Sequence, residues 1–145
     1  MSRISVSVVV PAPPVAVWGA LARVEDHMQW MADARRIEFL GSARRGVGTR
    51  IRVDTRIGPF HTSDVMEFTD WSEPTSMGVT HAGVFTGAGR FTLAPQPEGT
   101  RFTWTEEIAF PWYLGGPAGA WVARPVLRRI WLANLRRFAA GFSAR

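Results

Sequence analysis

Polar and apolar residues alternate along residues 101–110, RFTWTEEIAF. As an extended strand this run places Phe102, Trp104, Ile108 and Phe110 on one face and Arg101, Thr103, Thr105 and Glu107 on the other. Glu106 breaks the pattern by falling among the aromatics. A carboxylate left unpaired on an apolar face is costly, so this position requires a partner or a purpose. The same two-residue period runs through residues 49–57, where Ile51, Val53 and Ile57 oppose Arg50, Arg52, Asp54 and Arg56. Further strands are predicted over residues 4–10, 36–40, 60–71, 76–81 and 85–93, separated by turns rich in Gly, Pro or Asp. Connections this short join antiparallel neighbours, so the strands from residue 36 onward form a meander.

Helical spacing appears in two places. Pro11, Pro13 and Pro14 end the first strand, Pro14 suits the first turn of a helix, and Val17, Trp18, Leu21 and Ala22 then recur on one face to about Arg23. A second short helix is predicted over residues 26–31, with Asp26 as its cap. Residues 116–142 read as a long helix, kinked where Pro125 removes a hydrogen bond. Its apolar stripe contains Ala123, Leu127, Ile130, Trp131, Asn134, Leu135, Phe138 and Phe142, with Arg128, Arg129 and Arg136 opposite. The expected architecture is one α+β domain over residues 1–145. A curved antiparallel sheet of seven strands buries its concave face against the last helix, with two short helices after the first strand. So few helices cannot fill such a sheet, and a cavity is expected.

Composition narrows the chemistry. The chain has no cysteine and no lysine, which excludes disulfides, thiolate metal sites, a cysteine nucleophile and a Schiff-base lysine. The net charge of +5 permits contact with nucleic acid, yet the arginines are scattered and no nucleic-acid module is recognisable, so no nucleic-acid partner is expected. The apolar stretches are too short or too interrupted by arginine for a signal peptide or a membrane span, which makes a soluble cytoplasmic protein the default. His27, His61 and His81 lack metal-ligand spacing, and no dinucleotide loop or Gly-x-Ser-x-Gly elbow occurs, so neither a metal nor another cofactor is expected.

The opening strand followed by APPVAVWGALARVEDHMQWM, the strand end FTDWSEP and the Arg-rich final helix give the chain a family likeness. It resembles the Bet v 1-like or START-like (SRPBCC) superfamily, which includes polyketide cyclases and lipid-transport domains. FTDWSEP is similar to that group's aromatic-x-Pro-Pro turn, with Glu73 at the first Pro. The resemblance spans essentially the whole chain and implies a helix-grip fold whose internal cavity binds a hydrophobic small molecule. It also implies that Trp30 lies at the mouth of the pocket. Fold alone does not fix the chemistry.

Pairing the last strands through their turns sets Phe91 against Phe102, Gly89 against Trp104 and Gly87 against Glu106, within a residue or two of register error. The preceding turn brings His81 near Phe85, Val79 near Gly87 and Met77 near Gly89. Gly87 and Gly89 then either open space beside Trp104 and Glu106 or relieve curvature in the sheet. Glu106 and His81 share the inner face as polar anchors or as a proton-handling pair, with His27 and His61 as weaker candidates. Asn134 is the strongly polar residue of the last helix's stripe, and Trp131 lies one turn before it. The expected ligand site therefore comprises Trp30, Met77, His81, Gly87, Gly89, Phe91, Trp104, Glu106, Trp131 and Asn134. Three functions remain open: binding of a hydrophobic or aromatic small molecule, a cyclase, aromatase or dehydratase activity using Glu106 and His81, and non-catalytic docking on a macromolecule.

Overall fold

The computed structural model describes residues 2–143. The chain opens with β1 (Ser2–Val10), whose inward residues Ile4, Val6 and Val10 are buried. Pro13 is extended and delivers Pro14 to the start of α1 (Pro14–Leu21), where a missing N–H costs nothing; this helix buries Val17, Trp18 and Leu21. A 3-10 helix, Val24–Gln29, follows. It begins before the predicted helix of residues 26–31, and Asp26 does not cap it: the Asp26 carboxylate accepts from Arg23 Nε at 3.1 Å, one turn back.

The meander consists of β2 (Ala34–Phe39), β3 (Arg50–Ile57), β4 (Phe60–Ser72), β5 (Ser76–Ala82), β6 (Thr86–Gln96) and β7 (Gly99–Ala109). All pairings are antiparallel, and the strand order β1-β7-β6-β5-β4-β3-β2 returns the first strand to the side of the last. Register shifts at Ala34/Arg36 and Phe68/Asp70 mark irregularities of the kind that bend a sheet. A 3-10 turn, Trp112–Leu114, then leads into α2 (Gly116–Ser143), around which the curved sheet wraps in a helix-grip fold.

Pro125 lies inside α2, and the helix continues through it. Trp131, Asn134, Leu135 and Phe138 of the expected stripe are buried, whereas Arg128, Arg129 and Arg136 are exposed. Among the described residues no helix is long and apolar enough to cross a membrane. The densest core joins α1, Trp30 and the C-terminal half of α2 to the inner faces of β1, β6 and β7, where Ile4, Val10, Leu21, Phe102 and Leu135 are completely buried. Toward β3, β4 and β5 and the N-terminal half of α2 the sheet is not filled.

The register between the last strands differs from expectation by two residues. β6 runs on to Gln96, leaving a turn of only Pro97 and Glu98, so Phe91 pairs with Trp104, Gly89 with Glu106 and Gly87 with Ile108. β5 and β6 differ in the same way, with His81 opposite Gly87, Val79 opposite Gly89 and Met77 opposite Phe91. A slip of two preserves the pleat, so every side chain keeps its predicted face while its neighbours change.

Candidate functional site

The unfilled half of the concave face is a cavity of about 400 Å³. Its walls are mostly Ile, Val, Met and Phe side chains of β3 to β7, closed on the helix side by Ala123, Leu127 and Trp131. Strand alternation explains this lining: residues 51, 53, 55 and 57 of β3 and 62, 64, 66 and 68 of β4 all point inward.

Glu106 stands on this wall and is buried, as is its strand neighbour Trp104. Trp104 Nε1 donates to Glu106 Oε1 at 2.9 Å, and His81 Nε2 lies 2.8 Å from Glu106 Oε2. Both carboxylate oxygens are thus engaged. Two residues along a strand share a face, so the Trp104 to Glu106 bond is local, whereas the bond from His81 crosses β6 from β5. Gly89, paired with Glu106 in the intervening strand, makes this crossing possible: a Cβ there would fall 2.5 Å from Glu106 Oε1. Trp131 stacks on Trp104 with ring centroids 5.0 Å apart and planes 19° from parallel, which holds the indole N–H on the carboxylate.

Burial is the largest influence on His81 and opposes its charge. The hydrogen bond that His81 donates to Glu106, the Glu106 charge and the Asp64 charge together outweigh it, and the His81 pKa is raised above the ordinary histidine value. With Nε2 committed to Glu106, Nδ1 is the nitrogen left for a ligand: a donor when the ring is protonated, an acceptor when it is neutral. Asp64 was not expected here. It is buried on the inner face of β4 beside Thr62, and its Oδ1 accepts from Val84 N at 2.9 Å in the β5–β6 turn. Its parity with Thr62, Met66 and Phe68 was visible in the sequence, but its proximity to His81 depends on how β4 and β5 pair.

His27 also lines the cavity. Its Nε2 donates to Leu21 O at 2.8 Å, and burial drives its pKa down to about 4, so the ring is neutral at physiological pH. Among the described residues no cluster of three or more His, Cys, Asp or Glu side chains is placed to hold a metal ion.

Of the expected site residues, Met77, His81, Gly89, Phe91, Trp104, Glu106 and Trp131 meet on the cavity wall. Three lie elsewhere. Trp30 is not at the mouth but buried in an aromatic box, with ring centroids 5.1 Å from Phe138, 5.2 Å from His27 and 5.9 Å from Phe91. Asn134 is fully buried and serves the fold: its Oδ1 accepts from Ala32 N and its Nδ2 donates to Asp33 Oδ1, clipping α2 to the segment before β2. Gly87 answers a backbone need, since at φ 137° its missing Cβ would fall 1.9 Å from Glu107 O. His61 is exposed on the outer side of β4.

The fold has many counterparts among solved structures. The Zhui aromatase/cyclase of a Streptomyces species superposes with a TM-score of 0.76 at 16% identity, covering 99% of this chain and 94% of that one. A START superfamily protein from Mycobacterium smegmatis gives 0.72 at 19%, covering 94% of this chain and 96% of its own. The di-domain ARO/CYC StfQ of the steffimycin biosynthetic pathway gives 0.79 at 13%, with 99% of this chain matched to 51% of that one. At these identities the likeness establishes the fold and nothing finer. Among curated proteins none matches the chain. The sequence model of one family, described as polyketide cyclase / dehydrase and lipid transport, matches residues 1–145, and with the helix-grip fold it identifies the chain as a member of that SRPBCC family.

Proposed function

We propose that the protein binds a largely apolar small molecule between the sheet and α2, oriented by the His81–Glu106 pair. The observation that carries this reading is a cavity of about 400 Å³ whose mostly apolar wall holds a hydrogen-bonded histidine and carboxylate. That volume falls in the range of small-molecule sites, and a few convergent polar groups on an apolar wall are what fix a ligand's orientation. Affinity comes from apolar burial against Phe91, Trp104, Trp131 and their neighbours, and selectivity from the one group of the ligand that meets His81 Nδ1. The family's description, which names both cyclases and lipid transport, agrees with a ligand of this class.

Titration with a panel of aromatic polyketides and lipids, read by tryptophan emission, tests it, because Trp104 and Trp131 lie on the wall. A saturable response is expected from at least one class, and Thr55→Phe, which fills the cavity from β3, should abolish it. Absence of any response across the panel, together with a native mass spectrum free of bound ligand, counts against the reading.

A second reading, proton transfer in a cyclisation or dehydration, is favoured by the 2.8 Å pairing of His81 with Glu106. A histidine of raised pKa can protonate a leaving hydroxyl, and its neutral form can take a proton next to a carbonyl. Under this reading Glu106→Gln and His81→Asn each depress kcat with little change in ligand affinity. An active double variant rules it out.

A further inference from the structure

Four connections lie at the end of the molecule where the cavity sits; the one into β2 carries Asp33, and the other three contain no charged residue: residues 57–60 (IGPF), 82–85 (AGVF) and 110–123 (FPWYLGGPAGAWVA). Phe85 joins them, its ring centroid 5.9 Å from Phe60 and 4.7 Å from Phe110. The connections at the opposite end carry Arg44, Arg45, Glu73 and Glu98. The cavity end does not hide its apolar side chains. Trp112 is 87% exposed, Trp121 73%, Val122 72%, Tyr113 60% and Val126 52%. An exposed apolar group of this size marks an interaction surface. Val126 and Phe60 are both exposed and also line the cavity, so the patch borders its mouth.

Charge around the patch is predominantly positive, with Asp33 and Glu107 as the acidic residues nearby. α2 contains Arg124, Arg128, Arg129, Arg136 and Arg137 and no acidic residue. Arg56 is exposed at the foot of β3, and none of Arg56, Arg124, Arg128 and Arg129 forms an ion pair among the described residues. Arg3 is also exposed at this end, opposite Glu107 across the β1–β7 ladder.

We infer that this end of the molecule docks on an anionic phospholipid bilayer, with Trp112, Tyr113, Trp121 and Val122 at headgroup depth and Arg124, Arg128 and Arg129 against lipid phosphates. Trp and Tyr suit that boundary because each has an apolar body and a polar tip. Arginine pairs with phosphate bidentately, and a basic rim around an apolar patch is the combination that binds anionic interfaces. A second copy of the chain fits less well: a two-fold interface through this patch would set one copy's arginines against the other's. Docked this way, the cavity mouth opens onto the bilayer, a source of apolar molecules.

The test is cosedimentation of the purified protein with vesicles of phosphatidylcholine alone and of phosphatidylcholine with phosphatidylglycerol, and it requires no cavity ligand. Partition onto the anionic vesicles, a blue shift of tryptophan emission and loss of binding with added salt are expected. The double variant Trp112→Ser/Trp121→Ser should weaken partition by at least about ten-fold. Arg124→Glu and Arg129→Glu should each weaken it by about five-fold or more. All four side chains are exposed, so circular dichroism and the thermal midpoint should be unchanged. Equal binding to neutral and anionic vesicles, or none to either, overturns the inference. So does a concentration-dependent dimer in ultracentrifugation that the double tryptophan variant dissolves, because the patch would then be a contact between copies.

Discussion

Gly87 and Gly89 lie two residues apart in β6, and their absent side chains serve different needs. At Gly87 a Cβ would strike the Glu107 carbonyl, at a φ that other residues rarely adopt. Gly87→Ala should therefore cost about 2–4 kcal/mol in chemical denaturation while leaving the His81 titration unchanged. At Gly89 the obstacle is the Glu106 carboxylate itself. Gly89→Ala should cost less, about 1–2 kcal/mol, but displace Glu106 and bring the His81 pKa down, as read by NMR titration of the histidine ring. Glu106→Gln should lower the same pKa, since burial then opposes protonation with only Asp64 against it. A carboxylate at an apolar position and two glycines nearby were legible in the chain. Which glycine faced Glu106 was not, because it depended on where the β6–β7 turn falls: placed at Pro97 and Glu98, it shifts the pairing by two residues.

At the scale of elements, α2 is held in place by aromatic stacking and by polar clips: Arg128 donates to Ser5 O of β1, Arg137 to Trp30 O, and the fully buried Asn134 amide ties it to the segment before β2. Asn134→Ala should destabilise the protein by about 2–3 kcal/mol, because Ala32 N and Asp33 Oδ1 both lose their partner. Ligand affinity should change little once the protein is folded, which separates the clip from the cavity lining. Isothermal titration on the variant below its thermal midpoint checks this. The helix stripe was readable from spacing alone, and its residues are inward as expected. Spacing could not say that Asn134 belongs to the packed half of the concave face and Leu127 to the open half. That division follows from where Trp30 and α1 pack, through contacts between residues roughly a hundred positions apart in the chain.

For the whole molecule, two histidines set opposite pH limits on stability. His27 is protonated in the unfolded chain below about pH 6.5 but resists in the native state until about 4, so stability is complete above 6.5 and falls as pH drops through that window. Over that interval the loss is about 3 kcal/mol. His27→Gln, which retains a donor for Leu21 O, should flatten this acid-side decline in urea midpoints measured between about pH 4 and 7. His81 acts in the other direction: its raised pKa contributes stability that is present below 6.5 and lost as pH rises through the native value. The sequence by itself determined the α+β order of elements, the face each side chain takes and the oddity of Glu106, because local periodicity and turn residues act over short spans. Only the tertiary structure decided that Glu106 is met by His81, that Asp64 joins them and that Trp30 is core. Those contacts depend on register, on sheet curvature and on which half of the concave face α2 fills, and no local pattern encodes them.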